Sequence, residues 1–334
     1  MEAYIVREIT KKFKDKIYHK FFDETGSEIK DKKHIKQITE GIYIPPAYDN
    51  VKINKNKHQK VRAIGYDNKD RPQYIYNKEY IKQQSEKKFN HMAYFGKKFH
   101  KINRKINEDL YSVKDSKEKQ VAMILKLIME CHFRVGSDRY YKENKSYGTT
   151  TLEKKHIKIK NGVVEIDFIG KKKVRNRCTI KNKKIIKNLK EKKRTLKKND
   201  KIFSYRKGRN YYNIKSSDVN KYLKQFGKVT TKNFRTWGAN IEFISQSLKL
   251  LKNTPKHLSK TQLKTIINDT IKYVCKKLHN TPSVCRSNYL DPELIKFLEY
   301  DCKKYKEHFM KKTDEINRDY IQKQYIQFLE DMIS

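Results

Sequence analysis

One tyrosine and two arginines, far apart along the chain, are residues of the types that attack on a phosphodiester requires. Tyr289 follows residues 280–288, which are predicted to include a short helix, and Arg134 and Arg235 lie upstream. A phenol is a weak nucleophile at neutral pH because its ordinary pKa is about 10. Fixed cations must therefore favour the phenolate and neutralise the charge of the transition state. These three residues are the candidate nucleophile and its activators.

Each of these residues carries little information when taken singly. The chain has 23 tyrosines and 80 lysines and arginines, so a tyrosine on a helix face and a solvated arginine are the ordinary interpretations. Whether these residues are catalytic or ordinary surface residues therefore depends on the elements that hold them and on their order along the chain.

A helix is predicted immediately before Arg134. Asp115 or Ser116 can cap its start, and apolar residues then recur at the spacing of one buried helical face. The residues of that face are Val121, Ile124, Leu125, Ile128 and Cys131. This helix would deliver Arg134 at its C-terminal end.

A hairpin is predicted before Lys171. Apolar residues alternate on both sides of Asn161-Gly162, a favoured two-residue hairpin turn, and a second turn follows at Gly170. Lys171 then lies at a hairpin tip, where a flexible cationic side chain can reach a groove. A solvated basic turn over residues 171–173 is the alternative.

Several start signals predict further helices. Thr231 opens a helix on which Lys232 and Arg235 lie three residues apart, hence on one face. Ser217 and Asp218 can cap another. Further helices are predicted after Asp291-Pro292 and near the C-terminus, and the lysine-rich residues 181–201 are predicted to form a basic helix and loop.

The N-terminal part of the chain has a different pattern. Short β-rich runs separated by turn residues extend to about residue 80, and a basic helical pattern follows over residues 78–110. The predicted strands contain residues 4–6, 43–44, 51–53, 61–65 and 73–76. We predict an α+β protein with a small β-rich N-terminal domain, residues 1–82, and a larger, mainly α-helical domain with a β-hairpin sheet, residues 83–334.

The charge of the chain indicates its partner. There are 80 Lys and Arg against 38 Asp and Glu, a formal net charge of +42, which is self-repelling without a polyanion. No apolar run is long enough for a membrane span and no signal-peptide pattern is present, and mean hydropathy is −0.98. We expect a soluble protein that binds nucleic acid and no membrane.

The cysteines predict neither a disulfide framework nor a zinc site. There are five, widely spaced and without a C-x-x-C pair, which indicates free thiols in a reducing compartment. No P-loop or H-E-x-x-H motif is present either. Nothing in the sequence calls for ATP or a metal ion.

Taken together, the motifs resemble the small type IB DNA topoisomerases of poxviruses and bacteria. The resemblance covers most of the chain and includes Arg134, Lys171, Lys232-x-x-Arg235 and Tyr289 in the family's order. The other matching segments are residues 44–48, 73–76, 133–136, 146–152, 234–238 and 280–282. Residues with AT-rich codons are abundant, which with these motifs suggests a giant cytoplasmic DNA virus similar to mimivirus.

The resemblance implies transesterification. Tyr289 would form a 3′-phosphotyrosyl bond with one DNA strand and release a 5′-hydroxyl, and Arg134 and Arg235 would bind the nonbridging oxygens. Lys171 would protonate the 5′ oxygen, since an ammonium surrounded by cations gives up its proton more readily. Lys232 would assist this transfer.

Asn280 stands where poxvirus enzymes carry histidine and bacterial enzymes carry asparagine. An amide donates a hydrogen bond but cannot act as an acid near neutral pH. The expected role of Asn280 is therefore hydrogen bonding to a phosphate oxygen, and none of the 10 histidines needs to be catalytic.

Further expectations follow from the resemblance. The N-terminal domain would close over the duplex, with Gln73, Tyr74 and Tyr76 contacting DNA, and Tyr140 is a weaker candidate contact. Alternatively, Tyr74 and Tyr76 form the buried face of a small sheet. The enzyme would act as a monomer on double-stranded DNA without ATP or metal, although Mg²⁺ can speed turnover. Its place of action would be a viral factory in the host cytoplasm, with the virion as a second location.

Two rival interpretations remain open. A tyrosine recombinase or integrase shares the arginines, the lysine and the phosphotyrosyl chemistry, but usually has H-x-x-R where this chain has Lys232-x-x-Arg235. A non-catalytic basic DNA-packaging protein would have the same charge. Only the set of Arg134, Lys171, Arg235 and Tyr289 tells against it.

Overall fold

The chain divides into two compact units, and one helix crosses the division. The computed structural model describes residues 4–14, 16–252, 254–255, 258–311 and 315–333. The units are Met1–Phe89 and Asn90–Ser334. Helix α2, Lys78–Tyr111, runs through the point of division, and the boundary predicted at residue 82 lies inside this helix. Helices and small antiparallel sheets occur together, as the predicted α+β class requires.

The first unit is a five-stranded antiparallel sheet with one short helix. Its elements are β1 (Tyr4–Phe13), β2 (Lys16–Phe22), α1 (Lys32–Thr39), β3 (Asp49–Asn54), β4 (Val61–Tyr66) and β5 (Pro72–Tyr76). The strand order is β2-β1-β3-β4-β5. Sequence patterns predicted four of these strands but not β2 or α1. The strand predicted at Tyr43-Ile44 is wrong, because both residues lie in a loop.

Arg7 explains why that loop is not a strand. Its buried guanidinium donates to three carbonyl oxygens, those of Ile44 at 3.3 Å, Pro45 at 2.9 Å and Tyr48 at 2.8 Å. Ile44 and Tyr48 also pack against the core of the unit. The core residues are Ile5, Ile38, Val51, Ile53 and Ala63. The Ile-Pro-Pro-Ala-Tyr motif is therefore a loop that one arginine fastens to β1.

The second unit is mainly helical. Its helices are α3 (Lys117–Cys131), α4 (Asp138–Asn144), α5 (Lys183–Thr195), α6 (Ser216–Leu223), α7 (Thr231–Lys252), α8 (Lys260–Leu278), α9 (Pro282–Asn288), α10 (Pro292–Tyr300), α11 (Cys302–Phe309) and α12 (Arg318–Asp331). Its strands are β6 (Ile157–Lys160), β7 (Val163–Ile169), β8 (Arg175–Ile180), β9 (Ser204–Lys207) and β10 (Asn210–Asn213). The first three strands form one antiparallel sheet, and β9 and β10 form a separate ribbon.

Helix α7 is the centre of this unit. Helices α3, α8 and α12 contact it, and most of its residues are buried. From α2, the ring of Phe95 packs edge-on against Phe234 at 5.0 Å and against Trp237 at 6.0 Å. A helix buried on nearly all sides has little freedom to shift, so the side chains it carries have fixed positions.

Most of the predicted local signals are confirmed. The Ser116 hydroxyl caps α3 by accepting from the N–H of Lys119 at 3.2 Å, and all five residues of the predicted apolar face are buried. The hairpin turn has φ of 49° at Asn161 and 71° at Gly162. Helix α6 differs slightly from its prediction. It begins at Ser216, and Asp218 lies within its first turn, where its carboxylate accepts from the N–H of Lys215.

The prediction of five free thiols is wrong. Cys131, the last residue of α3, forms a disulfide with Cys178 of β8, with a Cα–Cα distance of 5.7 Å. Cys275, Cys285 and Cys302 are free. The two bonded cysteines are 47 residues apart, and only the packing of α3 against β8 brings them together. Sequence spacing carries no signal for such a contact.

No helix within the described ranges combines the length and the apolar character that crossing a lipid bilayer would require.

We predict that reduction destabilises the second unit. The disulfide closes a loop with a separation of 47 residues, and a loop of that size contributes up to about 4 kcal/mol through the entropy of the unfolded chain. Dithiothreitol should lower the Tm of the wild type, and Cys178→Ser should have the lower Tm with or without reductant. Cys302→Ser, which removes a free thiol, should keep the wild-type response. A wild-type Tm that reductant leaves unchanged would contradict the prediction.

Candidate active site

The end of α3 places Arg134 by a sharp turn. His132 follows the helix in the left-handed region, with φ of 52°, and reverses the chain. Phe133 is then fully buried, with its ring 4.9 Å from Phe168 and 5.4 Å from the ring of His279. Because Phe133 is anchored in the core, the backbone of Arg134 has a defined position.

A second segment fastens the Arg134 backbone. Thr149 donates to the Arg134 carbonyl from its N–H at 2.9 Å and from its hydroxyl at 3.0 Å. Gly136 and Gly148 approach so closely that a Cβ on Gly148 would lie 2.4 Å from Gly136 Cα. The N–H of Tyr147, in the same segment, donates to the carbonyl of Ile169, the last residue of β7, at 3.0 Å. Residues 146–152 therefore hold both Arg134 and the strand that precedes Lys171.

Arg235 is buried with unpaired donors. It is 4% exposed, and its Nη2 donates to the Leu278 carbonyl at 3.1 Å and lies 3.5 Å from the Tyr289 hydroxyl. Its Nε and Nη1 have no hydrogen-bond partner among the described residues. Leaving charged donors buried and unsatisfied costs free energy. An anion bound at this point would relieve that cost.

Asn280 is hydrogen-bonded to Arg134. His279 ends α8 in the left-handed region, with φ of 53°, and so turns the chain toward the site. The Asn280 Oδ1 accepts from Arg134 Nη2 at 2.7 Å. Its Nδ2 is buried and lacks a partner in the part of the chain that the structure describes. Asn280 thus orients Arg134 and retains one donor for another acceptor.

Tyr289 follows α9 directly. Thr281 caps that helix, Pro282 begins it, and Tyr289 is its C-cap. Burial raises the pKa of the Tyr289 phenol, but the nearby charges of Arg235 and Arg134 outweigh burial and lower that pKa below its usual value. The Arg235 guanidinium carbon lies 5.1 Å from the centroid of the Tyr289 ring. Arg134, Arg235, Asn280 and Tyr289 form what we call the tyrosine cluster.

Asn240 is a residue of this site that sequence patterns did not reveal. It is fully buried on α7, and its Nδ2 donates to the carbonyl of Tyr289 at 3.0 Å. Its Oδ1 accepts from the N–H of Asp291 at 2.8 Å. The backbone on both sides of Leu290 is therefore fastened to the helix that carries Arg235. An asparagine within a predicted helix gives no sequence signal for such a role.

Two histidines lie beside the tyrosine cluster without adding positive charge. Burial lowers the pKa of His279 to about 4, and burial also lowers the pKa of His132. Both side chains are therefore neutral near pH 7. They fill space next to the arginines without repelling them.

The predicted lysines lie at the surface. Lys171 is exposed on the turn between β7 and β8, and its Nζ is 6.0 Å from the centroid of the exposed Tyr140 ring. Lys232 is exposed on α7, whereas Arg235 is buried three residues later. The structure pairs four of the six predicted catalytic residues, Arg134 with Asn280 and Arg235 with Tyr289, whereas Lys171 lies beside Tyr140.

The predicted DNA-contact residues of the first unit are on β5. Tyr74 is 52% exposed and Tyr76 is 37% exposed, and their rings stack with centroids 6.3 Å apart. The intervening Ile75 packs against the core. The Gln73 amide donates to Asp67 at 3.2 Å. The alternative that the two tyrosines form a buried face is therefore wrong.

Comparison with known families identifies the family of the region that carries this cluster. The model of the catalytic core of eukaryotic DNA topoisomerase I matches residues 77–320, which is more than half of the chain. The chain belongs to the type IB DNA topoisomerase family. In this topoisomerase, residues 18–67 also match the N-terminal domain of bacterial DNA topoisomerase IB. The predicted catalytic residues all lie within the first match, and Gln73, Tyr74 and Tyr76 lie between the two.

Individual relatives of the topoisomerase come from viruses. DNA topoisomerase 1B of Acanthamoeba polyphaga mimivirus is 32% identical over 83% of this chain and 82% of its own length. DNA topoisomerase I of monkeypox virus is 27% identical over 71% of this chain and 72% of its own length. DNA topoisomerase 1 of rabbit fibroma virus is 25% identical over 79% of this chain and 82% of its own length. These similarities agree with the family assignment.

The Asn240 contacts predict a defect in positioning. Asn240→Asp keeps the acceptor for Asp291 but loses the donor to the Tyr289 carbonyl, so the phenol should be misplaced and DNA cleavage should slow by about 10- to 100-fold. Single-turnover formation of covalent adduct measures the effect. Asn188→Ala, which removes another buried amide with one bond to Lys184, should lower stability without slowing cleavage. Equal cleavage rates in the two variants would exclude this role for Asn240.

Proposed function

We propose that this topoisomerase relaxes supercoiled DNA by cleaving one strand transiently with Tyr289. The Tyr289 phenol releases its proton to solvent, its oxygen bonds to phosphorus, the bond from phosphorus to the 5′ oxygen breaks, and the departing oxygen takes up a proton. The product is a 3′-phosphotyrosyl bond and a 5′-hydroxyl, and religation is the reverse reaction. The observation that carries the proposal is the pair of unpaired Arg235 donors buried beside Tyr289.

The arginines and Asn280 are assigned to the phosphate. A guanidinium presents paired donors that match two phosphate oxygens, so Arg134 and Arg235 would each bind a nonbridging oxygen. The unpaired Asn280 Nδ2 would donate a further hydrogen bond. These donors are in place before DNA binds, so little reorganisation would accompany the reaction.

Lys171 is assigned as the acid that protonates the 5′ oxygen, with Lys232 assisting. Its position on the β7–β8 turn suits this role, because an exposed ammonium on a flexible stem can reach DNA bound over the site. Residues 146–152 hold both the base of this turn and Arg134. Nearby Tyr140, 55% exposed, is assigned as a DNA contact.

The wider DNA interface is assigned to the basic surface. With a net charge of +42, the protein should bind duplex DNA largely through phosphate contacts. Gln73 and the exposed rings of Tyr74 and Tyr76 would add contacts from the first unit, which would close over the duplex. The enzyme is expected to act as a monomer, since cleavage of one strand needs a single tyrosine.

No ATP or metal ion is assigned to the reaction. The phosphotyrosyl bond retains the energy of the broken phosphodiester, so religation needs no further energy source. Arginine and lysine side chains would neutralise the transition state, and Mg²⁺ would speed turnover by loosening product binding. The viral relatives support a place of action in the infected cell. Within that cell, the protein is assigned to a viral factory in the host cytoplasm, with the virion as a second location.

The first test is relaxation of a plasmid in EDTA without ATP. Positive and negative supercoils should both be removed, because the cut strand rotates freely in either direction. Tyr289→Phe should bind DNA with near wild-type affinity but form no covalent adduct. Tyr300→Phe, which alters a tyrosine that is 81% exposed, should behave as wild type. Strict dependence on ATP, or removal of negative supercoils alone, would exclude the proposed function.

The second test separates acid catalysis from positioning. Lys171→Ala should cleave an ordinary substrate slowly, by roughly 10² to 10⁴ in rate. A substrate with sulfur at the 5′-bridging position should restore much of that rate, because a thiolate leaves without a proton. Lys173→Ala, on the same turn, provides the control and should show no difference between the two substrates. Equal defects of Lys171→Ala on both would mean that Lys171 only positions DNA.

A further inference from the structure

The β9–β10 ribbon is an exposed element with no part in the tyrosine cluster. All four residues of β10 are exposed, and Tyr211 and Tyr212 are 64% and 46% exposed. In β9, only Ser204 is buried. A short ribbon that buries so little of itself contributes little to the core, so its composition is free to serve another purpose.

The base of the ribbon is nevertheless fixed. Ile202, Phe203 and Ile214 are buried beneath it, and the N–H of Ile214 donates to the Phe203 carbonyl at 2.9 Å. The Lys192 ammonium of α5 donates to the Ser204 carbonyl. The ribbon therefore extends into solvent from an anchored base with a defined register.

Both faces of the ribbon combine an aromatic ring with a cation. Tyr205 lies opposite Tyr212, and their rings stack with centroids 5.8 Å apart. Tyr211 lies opposite Arg206, on the other face, because directly opposed residues share a face of the ribbon. Lys207 is on the same face as the stacked tyrosines.

The charge of the ribbon is entirely positive. Arg206 and Lys207 are followed by Arg209 in the turn, and residues 201–217 contain no carboxylate. None of these three cations forms an ion pair with a described residue. By contrast, Lys192 and Lys201, at the edge of the same region, pair with Asp115 and Asp138. The three ribbon cations thus remain available to an external anion.

We propose that the β9–β10 ribbon is an additional contact for duplex DNA, outside the tyrosine cluster, which increases affinity without taking part in the chemistry. The major groove of DNA is about 12 Å wide and admits a two-stranded ribbon, whose strands lie about 4.8 Å apart. Arg206, Lys207 and Arg209 would contact phosphates, and Tyr211 would lie against the sugar and base edges. The inference rests on the proposed function in that it takes DNA as the partner.

The first experiment removes the three ribbon charges together. In the full-length chain, Arg206→Gln with Lys207→Gln and Arg209→Gln should reduce the slope of log K against log salt by about 2 to 3, since each neutralised phosphate contributes about 0.9. The single-turnover cleavage rate at saturating enzyme should not change. A control with Lys260→Gln, Lys264→Gln and Lys303→Gln removes the same charge from exposed positions on α8 and α11.

The outcomes separate the ribbon from total charge and from the proposed function. If the slope of log K against log salt is unchanged in the ribbon variant, the inference is overturned, and an acidic protein becomes the favoured partner of the ribbon. An equal change of slope in the control variant would also overturn the inference. Covalent adduct formation by the wild type tests the proposed function independently. If no adduct forms, the proposed function fails while the ribbon's effect on DNA binding is still measured.

The second experiment tests whether DNA covers the ribbon. The chain has one tryptophan, the buried Trp237, so a new exposed indole can be followed by quenching. Acrylamide quenching of the indole introduced by Tyr211→Trp should fall when duplex DNA binds. Tyr300→Trp, at an exposed position on α10, is the matched control and should be quenched equally with and without DNA. Equal accessibility of the Tyr211→Trp indole in both states would overturn the inference.

Discussion

The burial of one guanidinium organises the catalytic half of this molecule. Arg235 is enclosed by the helices around α7, and its charge therefore acts in a medium of lower dielectric than water, where electrostatic interactions are stronger. The same burial prevents water from satisfying two of its donors. Holding a charge in this way costs free energy, which the apolar packing of Phe234 and Trp237 on the same helix offsets. The result is a site that is complete except for an anion.

That charge also determines what the neighbouring tyrosine can do. Burial alone would make the Tyr289 phenol harder to ionise, but the two arginines reverse the effect. The histidines beside the two arginines are neutral, so no third positive charge repels the two guanidinium groups. Under the proposed function, the charges that favour the Tyr289 phenolate would also bind the phosphate that it attacks.

Sequence patterns predicted the parts of this arrangement that depend on local signals. Periodicity identified the buried face of α3, the Asn161-Gly162 turn identified the hairpin, and Asp291-Pro292 marked the start of α10. The resemblance to a family then selected Tyr289 from 23 tyrosines, which no local pattern could do. The local signals involve residues that are close together in the chain. The family resemblance depends instead on motifs long enough to be recognised.

The features that escaped prediction depend on contacts between distant segments. Tyr43-Ile44 has a strand-like composition, but Arg7 binds the following carbonyls and keeps the segment in a loop. The Cys131–Cys178 bond joins a helix end to a strand. Lys232 and Arg235, three apart on one helix, differ in exposure because the surrounding elements cover only Arg235. Such differences arise from packing, which spacing along one segment does not encode.

The bonds made by Asn240 have a consequence for fidelity. Under the proposed function, a strand attached to Tyr289 would be held by a backbone that is fastened to the helix carrying Arg235, so the phosphorus atom and its cationic partner would remain in register. Microscopic reversibility requires rejoining to pass through the same transition state as cutting. The free 5′ end, however far it had rotated, would then have to return to this same position to react. Accurate resealing would then depend on the position of Tyr289 relative to α7.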